Sequence, residues 1–204
     1  MSFTTYLYKQ FARPQGLLGY VADYMMAHRP SNIERNEWAL SLLDIGPEDH
    51  ILEIGFGPGI AAGKAAEKAA EVVGIDHSEI MVRHAKRRNA ESIEKGKLRL
   101  LLGSVEEMPP ELGMFDKIYS MNVVQFWSEP VGIFRKLQTL LKPDGLILTG
   151  YMPRKIGATD EDAVRKGRQI EDWLCQSGFI QIRTEMRTMK PVSVIAVLAR
   201  IPKP

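Results

Sequence analysis

Between His50 and Gly59 the chain reads HILEIGFGPG. An apolar run meets a carboxylate, Glu53, and then opens into glycines at every second position: Gly55, Gly57 and Gly59. About twenty residues further on, a second apolar run, Val72-Val73-Gly74-Ile75, ends at Asp76. Glycines at the exit of a strand let a ligand lie against bare backbone. A carboxylate at the tip of the neighbouring strand can accept both hydroxyls of a ribose. The pair points to a cofactor that carries adenosine.

Three such cofactors compete for this pattern. The dinucleotide fingerprint G-x-G-x-x-G would place a glycine where Ile60 stands, and the spacing here is G-x-G-x-G. A P-loop ends in Gly-Lys-Ser/Thr, but Gly63-Lys64-Ala65 has no hydroxyl and no preceding loop. A carboxylate just before the glycines would repel a pyrophosphate, whereas it suits a cationic ligand.

The arrangement that remains resembles the class I S-adenosylmethionine (SAM) methyltransferase family. The resemblance rests on Glu53 to Gly59, on Asp76 with Ser78 and Met81 after it, on Gly103-Ser104 followed by Met108-Pro109, and on Leu141 to Gly145. It runs in order from about Glu48 to Arg200. It implies SAM as cofactor and S-adenosylhomocysteine (SAH) as product, with no metal. Carried over residue by residue, Glu53 supports the loop Gly55-Phe56-Gly57 to Gly59 around the methionine portion. Asp76 holds the ribose. His77 and Met81 flank the adenine, and Gly103, Ser104 and Val105 line its far edge. Asn122 neighbours the methionine moiety. Where the family often has Asp, this chain has Ser104, which leaves a hydroxyl for the adenine amine.

The sulfonium is already an activated leaving group, so transfer needs chiefly the alignment of a nucleophile. A general base is required only for an acceptor protonated at working pH. No side chain is therefore assigned a catalytic role. The acceptor is expected at the carboxyl end of the fourth strand, beside Gln125, Phe126 and Trp127, with Tyr151 after the fifth strand and Tyr8 and Phe11 from the head. Phe126 and Trp127 either wall a pocket, where they would stabilise a cationic amine, or pack the following helix. Only about Tyr151 to Ala158 separates the fifth strand from the last helix, which favours a small-molecule acceptor attacked at O, N or S over a protein or nucleic acid. A non-catalytic SAM-binding regulatory module is the alternative, and an NAD-dependent oxidoreductase a more distant one.

These residues need a scaffold, and the pattern supplies one. Strand-like runs are Ile51 to Ile54, Val72 to Ile75, Leu98 to Leu102, Phe115 to Ser120 and Leu146 to Gly150, with helical stretches between them. The helical stretches are Ile60 to Ala70, Ser78 to Lys95 and the one carrying Ile133 to Leu141, which Lys142-Pro143-Asp144-Gly145 stops. Such alternation predicts a doubly wound α/β fold with a mostly parallel sheet. After a helix over 160–177, Phe179 to Glu185 and Val192 to Arg200 are too close in sequence for a crossover and should pair antiparallel. The expectation is seven strands with the last antiparallel. Residues 1–46 read as a helical lid belonging to the same domain as the SAM-binding body, 47–204. In that head, Ser31 and Glu34 fit a capping box. Gln10-Phe11, Pro14, Gly16, Gly19, Asn36 and Trp38 resemble a bacterial subset of small methyltransferases.

The chain of 204 residues has net charge +2 and a pI near 8.6, too mildly basic for a nucleic-acid binder. Arg83, Lys86, Arg87 and Arg88 read as a solvated helix face, and the single cysteine, Cys175, as a buried structural thiol. No apolar run reaches membrane-span length, and few basic residues accompany the Met25-Met26 stripe, so no stable membrane insertion is expected. A cytoplasmic monomer or homodimer follows as the default.

Overall fold

The computed structural model describes residues 29–109 and 112–202. The stretch expected to form the first helix of the head, and the segment with Tyr8 and Phe11, lie outside the described residues. Apolar runs rich in Val, Ile and Leu form seven strands: β1 (His50–Ile54), β2 (Glu71–Asp76), β3 (Leu98–Leu102), β4 (Phe115–Met121), β5 (Leu141–Tyr151), β6 (Ile180–Arg187) and β7 (Val194–Arg200). They make one sheet in the order β3-β2-β1-β4-β5-β7-β6. Pairing is parallel from β3 to β5, and β7 runs antiparallel to both β5 and β6. The strand order reverses between β1 and β4, where open sheets of this kind bind ligands.

The helices are α1 (Pro30–Leu43), α2 (Ile60–Ala66), α3 (Glu79–Arg88), α4 (Ala90–Glu94), α5 (Pro130–Gln138) and α6 (Asp160–Gln176). They cover both faces of the sheet, as its alternating buried residues require. On one face Ile51, Val72, Leu98 and Leu148 pack against α1, α2 and α3. On the other, Leu52, Val73, Ile118 and Ile147 pack against α5 and α6. None of the helices among the described residues is long and apolar enough to cross a membrane.

Four local expectations are corrected. The helix expected over 78–95 breaks at Asn89 into α3 and α4; the Asn89 amide donates to the Ala85 and Gly59 carbonyls and diverts the local backbone. The helix α1 starts at Pro30 with Arg29 as its cap, so Ser31 is helical, not a cap. Lys142 to Gly145 turns the chain within the span of β5, where the pairing with β4 jumps from Leu141 to Leu146. Cys175 is exposed, because it follows the buried Leu174 by one residue and so sits about 100° further round α6.

Candidate functional site

The glycine loop lies at the carboxyl edge of the sheet. Gly55, Gly57 and Gly59 all take positive φ, at 71°, 51° and 73°. Their surroundings separate their roles. A Cβ on Gly55 would lie 2.4 Å from Val123 Cγ2, so the loop is pressed against the exit of β4. A Cβ on Gly59 would lie 2.6 Å from the Ala85 Cβ, so this glycine lets α2 and α3 touch. A Cβ on Gly57 would meet nothing within 4 Å. Of the three, Gly57 is the one that faces open space, as a ligand cradle needs.

Asp76, at the tip of β2, grips this loop. Its Oδ2 accepts the Gly57 N–H and its Oδ1 the Ser78 N–H, both at 2.8 Å. Each oxygen keeps capacity for a further donor. Burial raises the Asp76 pKa against the pull of those two amides and of His77. Asp76 pairs in register with Leu102, an exposed apolar side chain at the tip of β3. Next to it, the Gly103 N–H donates to the Asp76 carbonyl at 3.0 Å, and the Ser104 hydroxyl accepts the Glu107 N–H at 3.3 Å. His77 is exposed.

Glu53 stands on the same face as Asp76, in register between Gly74 and Tyr119. Its carboxyl is buried, and loss of solvation lifts its pKa from the ordinary 4.5 to about 8; nearby Tyr119 opposes the shift and Asp76 adds to it. Tyr119 stands close enough to be felt electrostatically, yet no hydrogen bond of ordinary geometry forms. Glu53 Oε2 and the Tyr119 hydroxyl are both buried without a partner among the described residues.

At the tip of β4, Asn122 (φ 58°) ties β4 to β5. Its Oδ1 accepts the Met152 N–H at 2.9 Å and its Nδ2 donates to the Met152 carbonyl at 2.7 Å. The Gln125 amide donates to the Asn122 carbonyl at 2.7 Å and leaves its own Oε1 buried and unpartnered. Into this knot comes a residue the sequence reading did not name. Arg35 Nη1, from α1, donates to Asn122 Oδ1 at 3.1 Å, while its Nε is buried without a partner. Burial, then Arg154 and Arg29, lower the Arg35 pKa to about 9. A signal for it exists in the sequence. Arg35, Ala39 and Leu43 recur every four residues, so a cation stands in the stripe that α1 buries.

Other expected residues sit differently. Phe56 is buried on the sheet, where a Cβ on Gly74 would come within 2.7 Å of its ring. Met81 and Val105 are likewise almost wholly buried. The side chains of these three offer almost no surface to a ligand. Trp127 is only 8% exposed and meets Phe134 of α5 edge-on at 5.2 Å, which is the helix-packing alternative. Phe126 is exposed. Tyr151 lies half-buried under Lys166 Nζ, 6.0 Å from the ring centre, and so leans towards α6. Among the described residues no group of His, Cys, Asp or Glu is placed to hold a metal ion.

A doubly wound sheet with an open glycine at its switch point and a carboxylate-tipped strand next to it defines a protein built around an adenosine cofactor. The orphaned polar atoms say more about that cofactor. A buried donor on Arg35 and buried acceptors on Glu53 and Gln125 suit a ligand carrying both a carboxylate and an ammonium, as the amino-acid end of SAM does.

Comparison with known proteins agrees. Residues 52–149 match the family described as Methyltransferase domain. An uncharacterized methyltransferase of Bacillus subtilis, YdaC, is 32% identical over 184 residues, which cover 89% of this chain and 98% of YdaC. A ubiquinone biosynthesis O-methyltransferase of Acinetobacter baumannii is 33% identical over 109 residues, 51% of this chain and 44% of that enzyme. In fold, the chain is similar to the N-methyltransferase NodS of Bradyrhizobium japonicum, solved with SAH, with a TM-score of 0.73, 17% identity and 98% of both chains covered. The chain belongs to the SAM-dependent methyltransferase family. It is an enzyme, and SAM is its cofactor.

Proposed function

We propose that the protein transfers a methyl group from SAM to an oxygen, nitrogen or sulfur atom of a small molecule in the cytoplasm, by holding the two in line. When bound, the cofactor supplies an activated methyl group. The chain's own residues then have three tasks in this reading. Asp76 accepts the ribose hydroxyls, and Gly57 lets the backbone approach. Gly103, Ser104, His77 and the apolar Leu102 surround the adenine. Arg35 binds the carboxylate of the methionine portion, while Glu53 and Gln125 receive its ammonium.

The observation that supports the cofactor placement is the set of buried orphaned atoms, which includes a cationic donor on Arg35 and acceptors on Glu53 and Gln125, together with Gly57, the glycine of the loop that faces open space. The size of the acceptor rests on the short connections that leave the tips of β4 and β5. Neither is long enough to form a separate binding module. Gln125, Phe126 and Tyr151 then border the acceptor.

The test is turnover. The purified protein, SAM and a panel of small phenols, amines and thiols should yield SAH with at least one acceptor class. Methylation confined to protein or nucleic acid would sink the small-molecule reading. SAM binding without turnover on any acceptor would sink the catalytic one.

A further inference from the structure

Next to the crevice assigned above to the cofactor, positive charge gathers without a negative partner among the described residues. Three arginines meet where α1 begins and β5 ends: Arg29, Arg35 and Arg154. Arg154 donates to the Ser31 hydroxyl at 3.1 Å and to Asn32 Oδ1. Arg35 donates to the Asn122 amide. All of these acceptors are neutral. No carboxylate among the described residues pairs with any of the three. The acids nearby are engaged elsewhere. Glu34 pairs with Arg187 at 3.1 Å, Glu37 with Lys64, and Asp160 accepts the Ser193 N–H and hydroxyl at 2.8 and 2.9 Å.

Like charges held together and partly out of water are costly unless something neutralises them. Burial and the nearby Arg29 depress the Arg154 pKa to about 10, which reports that cost. In the reading proposed above, the methionine carboxylate neutralises Arg35. Arg154 and Arg29 have no carboxylate partner among the described residues, and Arg154 stands just past β5, on the side assigned to the acceptor.

We propose, resting on that reading, that Arg154 with help from Arg29 binds an anionic group of the methyl acceptor, a carboxylate or a phosphate. The acceptor is then a small molecule with a nucleophile at one end and an anion at the other. The guanidinium is suited to this, because its planar fork matches both groups and the two bonds to α1 leave donors over. A purely structural latch between α1 and β5 would need no charge.

The test uses the full chain saturated with SAH, so that Arg35 is occupied. Inorganic phosphate and benzoate serve as probes, each titrated at constant ionic strength against chloride. At least one should bind in the millimolar range, and the tighter of the two identifies the anion. Arg154→Gln should weaken that binding tenfold or more, Arg154→Lys should restore most of it, and Arg29→Gln should weaken it two- to threefold. SAH affinity should stay within twofold in all three variants, which also shows that they fold. SAH binding with neither probe recognised would overturn the proposal alone, as would equal probe binding by Arg154→Gln. Loss of SAH binding in Arg154→Gln would place Arg154 in the cofactor site and overturn it as well. Failure of SAH to bind the wild-type protein would bring down the cofactor reading first.

Discussion

Glu53 and Arg35 are a buried carboxyl and a buried guanidinium, each with an atom left unpartnered among the described residues. Their energetics give two expectations. Arg35→Gln removes a charge-assisted bond to the methionine carboxylate, worth about 1.5–3 kcal/mol. The SAH dissociation constant should rise roughly ten- to a hundredfold by calorimetry; an unchanged value would remove Arg35 from the site. Glu53 works through pH. Its folded pKa, near 8, lies above its ordinary 4.5, so between those values the folded state holds a proton that the unfolded state has lost. Stability of the ligand-free protein therefore falls as pH rises from about 4.5 to 8, by an amount on the order of 5 kcal/mol from this group. Asp76, also raised by burial, adds a slope of the same sign. Urea denaturation at pH 5 and pH 8.5 should show a smaller loss in Glu53→Gln than in the wild type. Equal losses would mean that Glu53 is ionised throughout.

At the scale of elements, the glycine motif serves two purposes at once. Gly57 faces open space, where the proposed reading puts the ligand, whereas Gly59 and Gly63 let α2 lie against the end of α3. A Cβ on Gly63 would come within 2.2 Å of Asn89 Oδ1, and one on Gly59 within 3.3 Å of the Ala85 backbone. Backbone cannot yield as a side-chain end can. Gly59→Ala should therefore lower stability by about 1–3 kcal/mol through overpacking and positive φ, seen as a lower melting temperature of the ligand-free protein. Gly57→Val behaves differently. Its Cβ meets no protein atom within 4 Å, so beyond the strain of a branched side chain at positive φ it should block SAH. Full SAH affinity in that variant would show that Gly57 is a turn residue only.

Across the whole molecule, the crevice draws on three distant parts of the chain. In the proposed reading the α1 helix supplies Arg35, the first half of the sheet supplies Glu53, Gly57 and Asp76, and the tip of β4 supplies Asn122. A ligand that joins them should stabilise the fold as a unit. At a concentration one hundred times its dissociation constant, SAH should add about 2.7 kcal/mol, which for a chain of this size raises the melting temperature by several degrees. NAD should produce no such rise, because Asp76 and Glu53 line the loop without a phosphate-binding third glycine. A shift with NAD that matched the one with SAH would contradict the geometry assigned to the crevice.

The sequence alone determined the seven strands, their parallel course with a reversed end, and the glycine loop facing an acid-tipped strand. Those features are local: apolar runs, turn residues and short spacings act over a few residues and leave their mark in order. It did not determine which glycine of the loop faces open space, nor that the side chains of Phe56, Met81, Val105 and Trp127 are buried. Tertiary structure decided those, because each depends on what a distant element presses against it. Arg35 shows the difference most plainly. It meets Asn122 across 87 residues of chain, and no spacing rule encodes a contact made only when a helix crosses the ends of two folded strands.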